Sequence, residues 1–396
     1  MSSHAVLGQV ALGYSPMIDR HRAVTAVRVT VFPARQDATP KAGDLLAAMA
    51  ETWPADAGRV SLNIVGETLL QDLLNTELPL NMMVEVPAFM AADIAHTEAL
   101  QTLHNRGNTL LIKGRPLTPL PREALPCFAY SIIDLSDERR DGTPAPGGVS
   151  RNIPHVQGEV RTLAQMNDSF ARGAIAVLGS PIDDAIVHTG KSAAQPDLQA
   201  IVELINRVDR QEPVERLEAV MKNDPTMAFK LMRYINSPAF GLSVEITSFR
   251  HAIMLLGYAR MKRWLALLLT TASKDHSMRP IMFGAVRRGL LMEELAQGMS
   301  EREQRDEMFI CGLFSLLDHM LKAPFDKLLQ SIPVPERVRQ ALVDDGGPFH
   351  PYLELVRAIE SESVFDYRER ADALMLGAGE INACVLRALH KATQLE

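Results

Sequence analysis

The stretch Asn223 to Gly241, "NDPTMAFKLMRYINSPAFG", decides how the second half of the chain is read. Asp224 followed by Pro225 fits an N-cap with proline at the first helical position, where the missing N–H removes no hydrogen bond. Met227, Leu231 and Ile235, with Ala228 and Met232 beside them, form one apolar stripe at helical spacing. Pro238 and Gly241 then end the helix. Both ends are marked, yet the segment holds no His, no Cys and, after Asp224, no carboxylate. It is a well-specified helix without a reactive group.

The helical rhythm continues outward. Ser248 can cap "FRHAIMLLG", Gly257 can supply the left-handed residue that stops it, and "ARMKRWLALLLTTA" begins a further helix. More helices are expected around Pro280 to Met299, Asp306 to Leu321, Pro335 to Val343, Tyr352 to Ser361 and Ala371 to Ala392. Up to about Pro181 the pattern differs. There "AVTAVRVTVF" (Ala23 to Phe32), "VSLNIV" (Val60 to Val65), "MMVEVP" (Met82 to Pro87), "TLLIKG" (Thr109 to Gly114) and "AYSIIDL" (Ala129 to Leu135) read as strands. Amphipathic helices such as "AGDLLAAMAETW" lie between them, and strand and helix in turn predict a mainly parallel sheet covered by helices. "DERRDGTPAPGG" (Asp137 to Gly148) reads as a loop, and "HTGKSAAQPD" (His188 to Asp197) as the boundary. The fold class is therefore α/β plus all-α, with domains at 1–188 and 189–396.

At 396 residues the chain is long enough for two or three domains with cores of their own. A hydrophobic fraction of 47% fits a globular protein, and a net charge of −7 opposes whole-protein attraction to nucleic acid or anionic lipid. Cys127, Cys311 and Cys384 are far apart and form no C-x-x-C pair, so reduced, partly buried thiols are expected. The longest apolar run, "WLALLLTTA" from Trp264, is too short to span a bilayer, and the N-terminus does not read as a signal peptide. A cytoplasmic location is the expectation.

Asp224-Pro225, Leu231, Asn236-Ser237-Pro238, Phe240-Gly241, Ala252, Leu256-Gly257 and Trp264 together resemble the HDOD domain, a bacterial signalling module related to metal-dependent HD phosphohydrolases. The resemblance covers roughly Leu198 to the C-terminus and implies an interaction or regulatory role without hydrolysis. An HD enzyme needs a His-Asp doublet on a helix, because imidazole and carboxylate must converge on divalent ions that activate water. In "CGLFSLLDHML", Ser315 and Leu316 stand where that doublet would lie. Asp318-His319 is reversed and shifted, and the plainer reading makes both surface or capping groups. His251, His276, His350 and His390 show no metal-ligand spacing either.

The first half, through "GYSPMIDRHRAVTAVRVTVFP", is similar to the opening strand-turn-strand of EAL domains, the barrel-shaped cyclic di-GMP phosphodiesterase fold. That resemblance implies two divalent ions held by carboxylates and an Asn at strand ends. Asn63 and Glu85 match two ligands, and Asp134 is kept. Arg28, to within one residue, takes the place of the family's first Glu, Lys113 and Gly114 replace two Asp residues, Ile132 replaces the Lys, and Gly158 and Arg161 replace two Glu residues. At roughly 4 Å and an effective dielectric of about 20, the Lys113 cation would repel a divalent ion by about 8 kcal/mol. Asn63, Glu85 and Asp134 are thus remnants of a pocket, or groups that satisfy strand ends.

A helix-turn-helix reading of Ser248 to Leu269, with Arg250, Arg260, Lys262 and Arg263 as a basic face, competes with a plainer one. Ile253 to Leu256 and Trp264 to Leu269 are so apolar that a buried pair of helices is expected, the basic residues forming a solvated rim. The sequence thus predicts a degenerate EAL-type barrel joined to an HDOD domain: no catalytic residues, no cofactor, no metal, and function through other signalling proteins. Nucleic acid and membrane are not expected partners, and self-association is open. The residues expected to matter are Asn63, Glu85 and Asp134 in the barrel, and Asp224, Pro225, Asn236, Ser237, Pro238, Gly241 and Gly257 in the helical half. Alternatives are a cyclic di-GMP receptor that does not hydrolyse, or a metal-dependent cyclic di-GMP phosphodiesterase. Phe240, Leu242 and Trp264 are the apolar residues whose exposure would mark an interface.

Overall fold

In the computed structural model the described residues are 5–35, 37–54, 58–137, 153–184, 196–222, 225–273, 275–299 and 301–395. They divide into two compact units, one of Met1–Asp184 with Ala358–Ala383, the other of Ala185–Arg357 with Cys384–Glu396. Asp224, nearly all of the expected loop from 137 to 148, and most of the expected boundary segment lie outside the described residues.

The first unit is built on eight strands: β1 (Val10–Asp19), β2 (Val24–Pro33), β3 (Val60–Ile64), β4 (Met82–Pro87), β5 (Leu110–Lys113), β6 (Phe128–Asp134), β7 (His155–Gly158) and β8 (Ala176–Leu178). They close into a barrel in sequence order. β1 runs antiparallel to both neighbours, β2 and β8, and the remaining pairs are parallel. Parallel strands need crossovers, and helices supply them between β2 and β3 (α1, Ala42–Thr52), β3 and β4 (α2, Glu67–Leu74), β4 and β5 (α3, Ala88–Ala92, and α4, Thr97–Asn105) and β7 and β8 (α5, Leu163–Ala171), while the β5–β6 connection carries only a short 3₁₀ turn at Leu125–Cys127. All five strands read from the sequence are present. β1 was anticipated only through the resemblance of "GYSPMIDRHRAVTAVRVTVFP" to an opening strand-turn-strand, and β7 and β8 were missed because four and three residues are too short for alternation to declare itself.

Side chains two apart on a strand share a face, and this period stacks the barrel interior in layers. One layer is apolar: Met17, Ala26, Met83, Leu111, Ile132, Val156, Ala176 and Leu178. Two residues further along β2, β4, β5, β6 and β7, the same inward face carries Arg28, Glu85, Lys113, Asp134 and Gly158. The polar layer therefore lies toward the C-terminal ends of the parallel strands, the end where barrels of this kind build their sites.

β8 pairs with β1 only from Met17 to Asp19, so the earlier part of β1 has a free edge. Asn382 covers it. Its Oδ1 accepts the Leu12 N–H at 3.0 Å, and its Nδ2 donates to the carbonyls of Leu7 and Val10, each at 2.7 Å. A fully buried amide here replaces a missing strand. Residues 358–383, assigned by the sequence pattern to the helical half, thus pack with the barrel.

The second unit is helical: α6 (Pro196–Asp209), α7 (Val214–Lys222), α8 (Pro225–Ile235), α9 (Phe249–Thr271), α10 (Arg279–Leu295), α11 (Arg302–Phe314), α12 (Leu317–Leu321), α13 (Phe325–Ser331) and α14 (Glu336–Val343). α15 (His350–Glu360), α16 (Val364–Ala373) and α17 (Ala378–Thr393) complete the chain. Two expected helices are each divided. Asp306 to Leu321 breaks at Ser315 and Leu316, and Ala371 to Ala392 breaks where Met375 takes a φ of 54°. At the latter the Leu376 N–H reaches the Ala371 carbonyl and the Met375 N–H reaches that of Asp372, a Schellman ending with Met in the place usually held by Gly. Without a glycine there, the stop was invisible.

Among the described residues, no helix is long and apolar enough to cross a membrane. All three cysteines are free, and all are buried rather than partly so.

Candidate functional site

The polar layer of the barrel is centred on Arg28, which is 7% exposed. Register sets Arg28 beside Ser61 and Thr30 beside Asn63. The guanidinium of Arg28 grips Glu85 with two nitrogens, Nε to Oε1 at 2.9 Å and Nη2 to Oε2 at 2.7 Å. Ser61 Oγ adds a third bond to Oε1 at 2.9 Å, so both oxygens of a carboxylate only 1% exposed are engaged. Asn63 is held likewise: its Nδ2 donates to Thr30 Oγ1 at 3.1 Å, and its Oδ1 accepts from Lys113 Nζ at 3.2 Å. Asp134 is half-buried, and its Oδ1 would lie 2.0 Å from a Cβ at Gly158. Only glycine admits that carboxylate.

Burial pulls the pKa of Arg28 down, but the charges of Glu85 and Glu362, the hydrogen bond to Glu85 and the charge of Asp134 more than offset it. The result stands above the ordinary arginine value, and the cation is permanent. The structure thus brings Glu85 and Asp134 to Arg28, and Asn63 to Lys113. Arg161 is exposed on the surface, 3.7 Å from Asp183. Among the described residues no group of three or more His, Cys, Asp or Glu is arranged to hold a metal ion.

Glu362 was not legible as part of this layer. It ends α15 in a left-handed conformation, φ 55°, with the N–H of Ser363 on the Ala358 carbonyl and its own on that of Ile359. A non-glycine residue pays about 1 kcal/mol for this backbone. Its carboxylate accepts from Ser15 Oγ at 2.8 Å and stands 3.5 Å from Arg28 Nη1. Tyr14 donates to Glu360 at 3.1 Å. Gly13 makes the approach feasible, since a Cβ there would sit 3.0 Å from the Ile359 carbonyl oxygen and 3.1 Å from Glu362 Cγ. Gly13 pairs with Thr30 in register, so this contact is made at the level of the polar layer.

In the helical unit, Ser315 is 4% exposed, donates to the Gly312 carbonyl and accepts from Arg288 Nη1 at 3.1 Å. A buried guanidinium therefore meets the position where an HD doublet would begin. Asp318 and His319 bond each other, Nδ1 to Oδ1 at 2.9 Å.

The remaining marked residues shape the chain. Pro225 opens α8. Asn236 clasps Ile246 in both directions, Oδ1 from its N–H at 2.7 Å and Nδ2 to its carbonyl at 2.8 Å. Ser237 caps the short 3₁₀ turn of Pro238, which Gly241 ends at φ 54°. Gly257 breaks α9 at φ 77°, ψ 169°, and Ser248 caps its start by accepting the His251 N–H.

Two expectations about this region are corrected, the burial of the first part of α9 and the solvated basic rim, and the exposure that would have marked an interface at Phe240, Leu242 and Trp264 is not found. Trp264 is 4% exposed and Phe240 and Leu242 are half-buried, because Phe240 stacks edge-on to Trp264 at 4.3 Å; they make no open apolar face. In the first part of α9, Met254 and Leu255 are 78% and 51% exposed rather than core. Three of the four basic residues do not form a free rim, and the fourth, Arg260, comes only within 4.0 Å of Asp306. Arg250 pairs with Glu215, Lys262 with Asp209, and Arg263 is buried against Glu293 and Asp306. Neutralised cations make a poor surface for phosphate backbones.

Residues 196–321 match the HDOD domain. The chain is 31% identical over 191 residues to the uncharacterized protein YuxH of Bacillus subtilis (strain 168), covering 47% of this chain and 46% of that one. It is 26% identical over 274 residues to the cyclic di-GMP phosphodiesterase CdgJ of Vibrio cholerae serotype O1, covering 66% of this chain and 62% of that one. The aligned region thus spans from about half to three fifths of these curated relatives. Among solved structures, the FimX EAL domain from Pseudomonas aeruginosa bound to c-di-GMP aligns at 12% identity and a TM-score of 0.29, over 46% of this chain and 96% of that one. The protein is an eight-stranded closed barrel followed by a helical region that carries an HDOD domain.

Proposed function

We propose that this is a non-catalytic regulator in cyclic di-GMP-related signalling that acts by binding another protein. The observation that carries the reading is the buried ion pair of Arg28 with Glu85. A dinuclear centre needs carboxylate and amide oxygens free to face cations. Here Glu85 gives both oxygens to Arg28 and Ser61, and Asn63 gives its oxygen to Lys113. The donor set does not fit a pair of divalent ions.

The contact of Glu362 with Ser15 and Arg28 also argues against a cyclic di-GMP receptor, because Glu362, a residue of the barrel unit itself, occupies the strand-end region such a ligand would enter. Interaction is supported by exposed apolar side chains on the helical unit, Phe229 at 69%, Met254 and Leu255. Their cost in water is offset when a partner covers them.

Purified protein with Mg²⁺ or Mn²⁺ and cyclic di-GMP is expected to release no linear product and to show no binding heat. Turnover would overturn the non-catalytic reading, and heat without turnover would favour the receptor. Full-length bait should capture a defined partner from its native cells, and Met254→Ser with Leu255→Ser should abolish that capture while leaving the circular dichroism spectrum unchanged.

A further inference from the structure

The helical unit contains a cleft of about 170 Å³ that the barrel chemistry does not use. Arg260, Arg263, Arg302, Arg305 and Lys391 line it, against only Glu293 and Asp306. Both carboxylates are engaged by Arg263, whose Nη1 lies 2.7 Å from each. Asp306 reaches Arg260 only at 4.0 Å, and Lys391 is held by Glu294 at 2.5 Å. Arg302 and Arg305 have no carboxylate partner among the described residues. The cleft holds surplus positive charge.

Its walls also hold donors without acceptors. Arg263 is 7% exposed, and its Nε–H, like that of Arg305, is buried with no acceptor. Trp264, 4% exposed, lines the same cleft, and its indole N–H makes no hydrogen bond among the described residues. The chain's other tryptophan, Trp53, donates to the Gly58 carbonyl at 3.3 Å. Buried donors are ordinarily paired, so the Nε–H groups of Arg263 and Arg305 select a ligand made of acceptors, and the indole N–H, which is not fully buried, adds a further donor in the same cleft. Arg302 opens α11, whose N-cap Glu301 makes no side-chain capping bond, and the helix dipole adds to the potential. The several oxygens of a phosphate monoester suit guanidinium forks and one indole donor better than the two of a carboxylate.

We propose that this cleft binds a small phosphate-bearing molecule, its phosphate held by Arg302, Arg305 and the indole N–H of Trp264. The site is independent of the barrel and of the reading given to it.

The full chain carrying Trp53→Phe leaves Trp264 as the sole tryptophan, and its emission is titrated with inorganic phosphate, adenosine monophosphate and acetate at matched ionic strength. Phosphate is expected to shift the emission, with affinity falling about tenfold in Arg302→Gln or Arg305→Gln, as the loss of one charge-assisted hydrogen bond implies. A tighter response to adenosine monophosphate assigns the source as a nucleotide, and an equal one as the phosphate group alone. No shift with either, an equal shift with acetate, or unchanged affinity in the double variant overturns the proposal. Phosphorus NMR line broadening of phosphate by the wild-type chain, lost in the double variant, gives the same decision should Trp53→Phe not fold.

Discussion

Arg28 and Glu85 form a pair whose members depend on each other, since both are buried inside the barrel. Removing one partner of such a pair typically costs about 3–5 kcal/mol, because the other charge is left without compensation. Arg28→Met should therefore lower the urea-unfolding free energy by that order, and adding Glu85→Leu should recover most of the loss. A single variant as stable as wild type would mean that water reaches Glu85 and the pocket is open. Cys311 offers a second test: burial pushes its thiol up to about 12. The unfolded thiol ionises from about pH 8.5, so above that pH the unfolded state holds fewer protons and stability falls as pH rises. The stability gap between wild type and Cys311→Ala should shift against wild type by about 1.4 kcal/mol per unit from roughly pH 9 to 11. A pH-independent gap would show a thiol that titrates normally in the fold. Arg28 and Lys113 were legible in the sequence as cations where acids were expected, and strand period alone points to Ser61 and Thr30 beside them. Glu362 was not, because nothing local ties a residue in the last helices to the second strand.

At the scale of elements, the two halves of α9 depend on Gly257, whose φ of 77° with ψ 169° lies in a region open essentially to glycine alone. No atom lies within 4 Å of a Cβ there, so the penalty for a side chain is conformational rather than steric. Gly257→Ala should cost about 1–3 kcal/mol in thermal or urea unfolding. Unchanged stability would imply that α9 can run straight through. The sequence marked this break because glycine supplied it, and marked Ser248 because serine capped the following turn. It did not mark the breaks at Ser315 and Met375, where the backbone turns on residues that ordinarily continue a helix. The same logic explains Met254 and Leu255: an apolar run predicts burial on average, while the face each residue takes depends on neighbours that no local pattern specifies.

On the scale of the whole chain, the domain limits follow contact rather than sequence order, because residues 358–383 belong to the barrel unit. Four ties contribute to it: Asn382 on the free edge of β1, Glu362 on Ser15 and Arg28, the Tyr14 hydroxyl on Glu360 at 3.1 Å, and the Arg368 guanidinium on the Pro33 carbonyl at 3.0 Å. Asn382 is fully buried and satisfies the Leu12 N–H and Val10 carbonyl of the β1 edge and the Leu7 carbonyl just before it, so its loss would leave several buried backbone groups unpaired. Cooperative units exchange their amides together, so hydrogen exchange can tell which unit a segment folds with. In increasing urea the amides of residues 364–373 should lose protection with those of β2 and β3, not with those of α10 and α11. Asn382→Ala should lower the protection of α16 and of the first half of β1 while leaving α10 and α11 as they were. If α16 instead opens with α10 and α11 in both proteins, the C-terminal helices belong to the helical unit, and the packing of Glu362 over Arg28 is not a stable part of the barrel.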